Sequence, residues 1–265
     1  MKITALVENK SHSEAKAVHG LSFYIETEKH KLLFDLGPDN TLFENAKKKG
    51  IDLAEVDTVI ISHGHRDHGG ALKNFLELNQ KAKIYIQRTA FEPHFSKLFL
   101  FMFNVGLDKK LLNHKNIVLL DGNYTIDDEL SLFTVHTPDR ISSEANKSLY
   151  ALHGPDDFRH EQNLIIRGKK KALFMGCGHK GVVNILENLG EDLPSYCFGG
   201  FHVYNPVSRK TVSVEQLDAL ASELKKYKDI QFYTCHCTGN DAFAYLQNKL
   251  NHMRYFSCGD ELVTE

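Results

Sequence analysis

The 265-residue sequence lacks several features that would place it in a special class of protein. It has no tryptophan, only six prolines, and no linker-like, low-complexity or repeated segment. Its longest apolar run, six residues from Leu98 to Phe103, is too short to cross a bilayer. The 32 basic and 34 acidic residues give a net charge of −2, so neither nucleic acid nor an anionic membrane is predicted as a partner.

The five cysteines are too few, and odd in number, for the disulfide framework of a small secreted protein. The first eight residues contain no signal-peptide core. Both observations predict a cytoplasmic protein. Hydrophobic residues make up 42% of the chain, which is enough for a sizeable core, and we expect one domain spanning residues 1–265.

The order of the predicted elements favours an α+β fold. Strand-like runs come early, beginning with Lys2–Val7 and Lys31–Leu36, whereas strands and helices alternate in the last quarter. We therefore expect helices packed outside two sheets. A Phe-rich insertion at residues 90–112 is predicted to be helical and to pack in the core, with a cap over a pocket or a homodimer contact as alternatives. Residues 138–157 are predicted to form a loop.

The strongest chemical signal is the run His63-Gly-His65-Arg-Asp67-His68, which follows a short β-branched strand. In extended backbone, side chains two positions apart point to the same side, so His63 and His65 project together. Asp67 and His68 follow on the next turn. Three imidazoles and a carboxylate within six positions suit zinc, iron or manganese, so the run predicts a transition-metal site.

The same run resembles the signature of the metallo-β-lactamase superfamily. Other segments follow in the superfamily's order over nearly the whole chain: Phe34-Asp35-Leu-Gly37, Leu173-Phe-Met-Gly176-Cys177 and Thr234-Cys-His236-Cys-Thr-Gly239. The run from Gly176 to Leu186 is also similar to proteins named as dihydropterin–ribofuranosylaminobenzene phosphate synthases. The resemblance implies a four-layer αββα sandwich and a metal-dependent enzyme.

The resemblance also implies a ligand set for two metal ions. The first ion would take His63, His65 and a third histidine, for which His160 and His179 are both candidates. The second ion would take Asp67, His68 and His236, and Asp67 would also act in catalysis. Asp35 would orient ligand imidazoles from behind without binding metal itself.

Two further residues carry alternatives. Cys177 stands where the superfamily usually has an aspartate, so it is either a thiolate ligand, which would favour zinc or iron over manganese, or an inert buried thiol. His202 either binds substrate or phosphate, or shapes a turn. Cys235 and Cys237 are predicted to be packing residues, and a last set of histidines to lie on the surface without a role: His12, His19, His30, His114 and His252.

Two divalent transition-metal ions, zinc being favoured over iron and manganese, would activate a shared hydroxide. The leading hypothesis is a hydrolase or phosphoryl-type transferase acting on a small, phosphate-bearing molecule. The alternatives are an iron-dependent redox enzyme on the same fold, a transferase like the dihydropterin–ribofuranosylaminobenzene phosphate synthases, and a metal-binding sensor without turnover.

Overall fold

The computed structural model describes residues 1–136 and 140–264, and within them two seven-stranded sheets form the centre of the protein. In chain order the strands are β1 (Lys2–Val7), β2 (Ser22–Glu26), β3 (Lys31–Phe34), β4 (Thr58–Ile60), β5 (Lys83–Gln87), β6 (His94–Leu98), β7 (Phe101–Asn104), β8 (Ile117–Leu120), β9 (Tyr124–Thr125), β10 (Leu130–Phe133), β11 (Leu149–Ala151), β12 (Gly154–Pro155), β13 (Asn163–Ile166), β14 (Ala172–Phe174), β15 (Tyr196–Gly199), β16 (Tyr204–Asn205), β17 (Lys210–Thr211), β18 (Gln231–Thr234), β19 (Met253–Tyr255) and β20 (Glu261–Val263).

The helices are fewer and short. The α-helices are α1 (Thr41–Lys48), α2 (Arg66–Gly69), α3 (Leu72–Leu78), α4 (Val182–Asn188), α5 (Val214–Leu224) and α6 (Asn240–Gln247). Single 3-10 turns occur at Leu53–Glu55, Arg88–Phe91, Lys109–Leu111, Glu144–Ser148, Lys225–Tyr227 and His236–Thr238. None of the described helices is long and apolar enough to cross a membrane.

The strand order brings several strand ends to one edge of the sandwich. The first sheet has the order β20-β1-β2-β3-β4-β5-β8, and β3, β4, β5 and β8 run parallel in it. The second has the order β19-β18-β15-β14-β13-β10-β9, and β14, β15, β18 and β19 run parallel. Because the carboxyl ends of parallel strands meet at the same edge of a sheet, residues that follow these strands are gathered together.

Three apolar layers hold the sandwich together. Between the sheets lies an aromatic core that includes Phe23, Phe34, Phe174 and Phe198. Leucines of α1 and α3 pack on the outer face of the first sheet, and apolar side chains of α4, α5 and α6 cover the second. The predicted α+β class and four-layer αββα arrangement are therefore confirmed.

The prediction for the Phe-rich insertion at residues 90–112 is wrong in two respects. Instead of a helix, the segment contains the antiparallel hairpin β6–β7, which joins β11 and β12 in a separate sheet. Instead of packing in the core, its tip is exposed, with Phe99 83% and Leu100 93% accessible. A dense aromatic run satisfies helical spacing and strand alternation equally, and aromatic residues favour strands, so the spacing alone did not decide.

The stretch predicted as a loop, residues 138–157, is only partly irregular. Residues 137–139 lie outside the described part of the chain. Beyond them, a 3-10 turn over Glu144–Ser148 leads into β11 and β12. Strand β11 pairs with β6, a strand more than fifty residues earlier, and this distant pairing explains why the local sequence gave no strand signal.

Candidate metal centre

Histidine, aspartate and cysteine side chains meet where strands of both sheets end. The turn after β4 contributes His63 to His68, and the turns after β14 and β18 contribute the remaining donors: Cys177, His179 and His236. Gly176 makes this convergence possible, because a Cβ there would lie 2.2 Å from Ser62 Oγ and 3.0 Å from His63 Nδ1. The two sheets therefore approach closely at the donor cluster.

One group of donors consists of three buried imidazoles. His63 Nε2 lies 3.0 Å from His65 Nδ1 and 3.4 Å from His179 Nε2. Burial, together with the neighbouring imidazoles, lowers the pKa of His63 and of His179 well below the usual value. Burial also lowers the pKa of His65. All three rings are therefore neutral at physiological pH, which leaves nitrogen lone pairs available as donors.

A second group lies beside the first and mixes three ligand types. His68 Nε2 is 3.2 Å from His236 Nε2 and 3.2 Å from Cys177 Sγ. Asp67 Oδ2 is 3.2 Å from His236 Nε2. Burial opposes ionisation of Asp67, but His68, His19 and His236 hold the pKa of its carboxyl well below the usual value. The group therefore offers an ionised carboxylate, imidazole nitrogens and a sulfur atom at one point.

Asp35 supports both groups from the end of β3. Its Oδ2 lies 2.6 Å from His68 Nδ1 and accepts a hydrogen bond from Ser62 Oγ, while Oδ1 accepts one from the Ser62 backbone N–H. Ser62 Oγ is in turn 2.8 Å from His63 Nδ1. Burial opposes protonation of His68, but the charges of Asp35 and Asp67 raise its pKa to about 9. Asp35 thereby orients His68 so that Nε2 faces the second group.

His160 and His179, the two candidates for the third ligand, occupy different positions. His160 Nδ1 accepts a hydrogen bond from the Gly64 N–H at 2.9 Å, and its Nε2 lies 3.2 Å from Asp156 Oδ2. Both of its nitrogens are thus engaged with other protein groups. His179 has only Nδ1 engaged, with Asn146 Oδ1 at 3.1 Å, and its Nε2 points at His63. The geometry favours His179 as the donor.

Comparisons with known proteins identify the family of this chain. The family model described as the metallo-beta-lactamase superfamily matches residues 15–161, which is more than half of the chain. The chain belongs to the metallo-β-lactamase superfamily. A crystal structure of Tm1679, described as a metal-dependent hydrolase of the β-lactamase superfamily, has a TM-score of 0.83 at 23% identity and covers 100% of this chain and 99% of its own. That likeness shows the fold.

Two relatives from Methanocaldococcus jannaschii are similar over most of their length. An uncharacterised protein is 27% identical over 97% of this chain and 98% of its own. A protein named 7,8-dihydropterin-6-methyl-4-(β-D-ribofuranosyl)-aminobenzene-5'-phosphate synthase is 28% identical over 90% of this chain and 88% of its own. The resemblance to this superfamily and to this subgroup, first seen in the motifs, is thereby confirmed.

The donor chemistry of this superfamily member fits transition-metal ions. Paired imidazole nitrogens lie 3.0–3.4 Å apart inside the protein, at His63–His65, His63–His179 and His68–His236. A carboxylate and a thiol complete the set, and nitrogen, oxygen and sulfur donors together suit zinc or iron. The residues present therefore fit the metal ions that the superfamily implies.

A cavity of about 430 Å³ opens directly onto both donor groups. His202 lines it, and neither ring nitrogen of this buried residue has a hydrogen-bond partner among the described residues. Its backbone φ of +45° is uncommon for a residue with a side chain, and such strain is often found at functional sites. Arg66 lines the same cavity and adds a positive charge.

Sequence reasoning missed two residues of this site. His19, predicted to lie on the surface without a role, has Nε2 3.2 Å from Asp67 Oδ2 and lines the cavity. Cys237, predicted to be a packing residue, also lines the cavity, with its sulfur within 4.8 Å of the Cys177 and His236 donor atoms. His19 gave no signal because it lies far from the other donors in sequence, whereas the position of Cys237 directly after His236 indicates its place in the site.

Proposed function

We propose that this protein is a metal-dependent hydrolase or phosphoryl-type transferase acting on a small, phosphate-bearing molecule. The observation that carries the proposal is the pair of buried donor groups side by side at the mouth of one cavity. Binding two divalent transition-metal ions, zinc being favoured, accounts for both groups. A single surface histidine cluster would need neither the burial nor the opening toward a cavity.

The proposed ligands divide between the two ions. The first ion takes His63, His65 and His179, whose donor nitrogens face one another. The second takes Asp67, His68 and His236. Cys177 is a further ligand candidate. Its sulfur lies within 4.8 Å of donor atoms of His63 and His68, and within the same distance of a donor atom of His236. His160 is left out, since both of its nitrogens are engaged.

Bound divalent ions act as Lewis acids that polarise a phosphoryl or carbonyl oxygen and acidify water. The protein's own residues then bind and orient the substrate. His202 has two unpartnered nitrogens at the cavity wall, and the one that carries the N–H can donate to a phosphate oxygen. Arg66 favours an anionic substrate by charge. The contact between Asp67 Oδ2 and His19 Nε2 gives a route by which a proton leaves the site toward solvent.

A transferase reaction like that named for the methanogen relative is the second candidate. The observation in its favour is the 28% identity over 90% of this chain to a protein whose name contains a 5'-phosphate product. The apolar part of the cavity wall, which includes Val105, Leu149 and Val207, offers a surface for an aromatic group. Product analysis with water as the only acceptor distinguishes hydrolysis from transfer.

The test begins with elemental analysis of the purified full-length chain, followed by a screen against phosphodiesters, phosphomonoesters, lactones and thioesters. We expect about two equivalents of zinc per chain and turnover of a phosphate ester. Iron with an absorbance that changes on reduction would instead favour the redox alternative. His65→Ala should lose metal and turnover together, whereas His153→Ala, an exposed histidine, should keep both. Full turnover by metal-free protein would overturn the proposal.

A further inference from the structure

Next to His65, and outside the lining of the cavity, lies a buried carboxylate with an imidazole on either side of it. Asp156, whose side chain is 1% exposed, has Oδ2 2.9 Å from His94 Nδ1 and 3.2 Å from His160 Nε2. Its other oxygen accepts a hydrogen bond from the Phe158 N–H at 2.8 Å. A buried carboxylate is costly unless its lone pairs are satisfied, and here the Phe158 N–H and the His160 Nε2–H donate to it.

The hydrogen bonds have a fixed direction. Because the Gly64 N–H donates to His160 Nδ1, the His160 proton must be on Nε2, which donates to Asp156. His94 Nδ1 faces Asp156 Oδ2 at 2.9 Å and its Nε2 faces the Thr89 carbonyl oxygen at 3.2 Å, and because both partners only accept, a single ring proton serves one of them. The chain of bonds therefore runs from the Gly64 backbone through His160 to Asp156, and His94 is anchored beside it.

This chain of bonds ends at the turn between two proposed metal ligands. Gly64 separates His63 from His65 and is packed so closely that a Cβ would lie 2.5 Å from the Ala90 carbonyl oxygen and 2.8 Å from the His94 ring. The His65 ring lies 5.5 Å from the His160 ring and 5.8 Å from the His94 ring. A shift of the array would therefore be transmitted to His63 and His65.

We propose that His94, Asp156 and His160 are positioning residues that fix the His63-Gly64-His65 turn in the geometry needed to bind metal, and that none of them is a ligand. The inference rests on the proposed metal-dependent function. It adds a reason for His160 to be a histidine, since that residue must accept from a backbone N–H and donate to a carboxylate at once. Outer partners of this kind typically change metal affinity by about 10–100-fold.

Two substitutions of His160 separate its two bonds. His160→Asn places an oxygen near the position of Nδ1, so it keeps an acceptor for Gly64 and loses the bond to Asp156. His160→Gln reaches the position of Nε2, so it keeps a donor for Asp156 and loses the bond to Gly64. If the array acts through Gly64, zinc affinity should fall by about tenfold in His160→Gln and by less in His160→Asn.

A second pair of variants tests the carboxylate itself. Asp156→Asn removes the charge and leaves only one acceptor oxygen, so we expect weaker zinc binding. Asp157→Asn makes the same charge change at the next residue, which is exposed, and should bind zinc like the wild type. Zinc titration against a competing chelator gives the affinities. Visible spectra of the Co²⁺-loaded proteins report ligand geometry, which a purely structural role would leave unchanged.

The expected result is retained zinc stoichiometry, reduced affinity and altered Co²⁺ bands in His160→Gln and Asp156→Asn. Loss of one whole zinc equivalent in both His160 variants would overturn the proposal and make His160 a ligand. Wild-type affinity and wild-type spectra in all the variants would also overturn it, while leaving the metal-dependent function standing. Absence of zinc binding by the wild-type chain would overturn both. Should Asp156→Asn fail to fold, the two His160 variants still decide.

Discussion

Two clusters of histidine and aspartate lie at opposite ends of the same strands, β3 and β4, and they differ in character. At the carboxyl ends, Asp35 and His63 belong to the buried donor cluster. At the amino ends, His30 stands between Asp57 and Asp127, with Nδ1 2.8 Å from one carboxylate and Nε2 2.6 Å from the other. A strand of four residues is only about 13 Å long, so little distance separates the clusters.

Burial and partner charge account for the difference. In the donor cluster the imidazoles outnumber the carboxylates, and burial lowers the pKa of His63 and His65 well below the usual value. At the other end, burial opposes protonation but two carboxylates bonded to one imidazole raise the pKa of His30. The same residue types therefore keep His63 and His65 neutral and ligand-competent, whereas carboxylate partners favour the protonated form of His30 and, within the donor cluster, of His68.

The largest expected effect comes from removing the buried carboxylate at the carboxyl ends of the strands. Asp35→Asn keeps the size of the side chain and tolerates the local φ of +62°, but it removes the charge that His68 and Ser62 share. We expect a loss of about 3 kcal/mol of unfolding free energy with a chelator present, because hydrogen bonds to a buried charged group are lost. Urea denaturation measures it.

Asp57→Asn is the matched change at the other end. That carboxylate is 42% exposed, so solvent already screens its pair with His30, and we expect a loss of at most about 1 kcal/mol. Equal losses in the two variants would contradict the distinction between a buried and a solvent-screened cluster. A larger loss in Asp57→Asn would reverse it.

The donor cluster was largely predictable from sequence because its chemistry is local. The run from His63 to His68 supplies four donors on one turn after a strand, and the carboxyl ends of neighbouring strands supply the others. The strand Lys2–Val7 was predicted to the residue, because its run of apolar and β-branched residues is typical of a buried strand. Which of His160 and His179 faces the donors depends on individual hydrogen bonds, and no spacing rule specifies those.

The parts that sequence did not reveal depend on distant contacts. His19 reaches Asp67 only because the segment after β1 folds across the site, where Asn9 Oδ1 also meets His236 Nδ1 at 2.9 Å. The hairpin β6–β7 is fixed by pairing with β11, more than forty residues later. The fully exposed end of that hairpin shows that apolar residues are not always placed in a core.

A smaller and more selective effect is expected from His30→Gln as pH changes. Because the folded-state pKa of His30 lies above its unfolded value of about 6.5, its ion pairs stabilise the protein fully below that pH. Their contribution is lost as pH rises through the folded-state pKa. The difference in unfolding free energy between wild type and variant should therefore be about 1 kcal/mol near pH 6 and should shrink toward pH 9.

The direction in which this free-energy difference changes with pH tests whether His30 is protonated in the folded protein. The pKa of Asp127 is lowered, despite the opposing effect of burial, by hydrogen bonds from His30 and from the backbone, so Asp127 stays ionised throughout the range and adds no slope of its own. Urea denaturation at about pH 6, 7.5 and 9, with a chelator present, measures the trend, and His114→Gln controls for removing a histidine elsewhere. A difference that grows with pH would mean that His30 is neutral when folded, and the contrast between the clusters would then rest on burial alone.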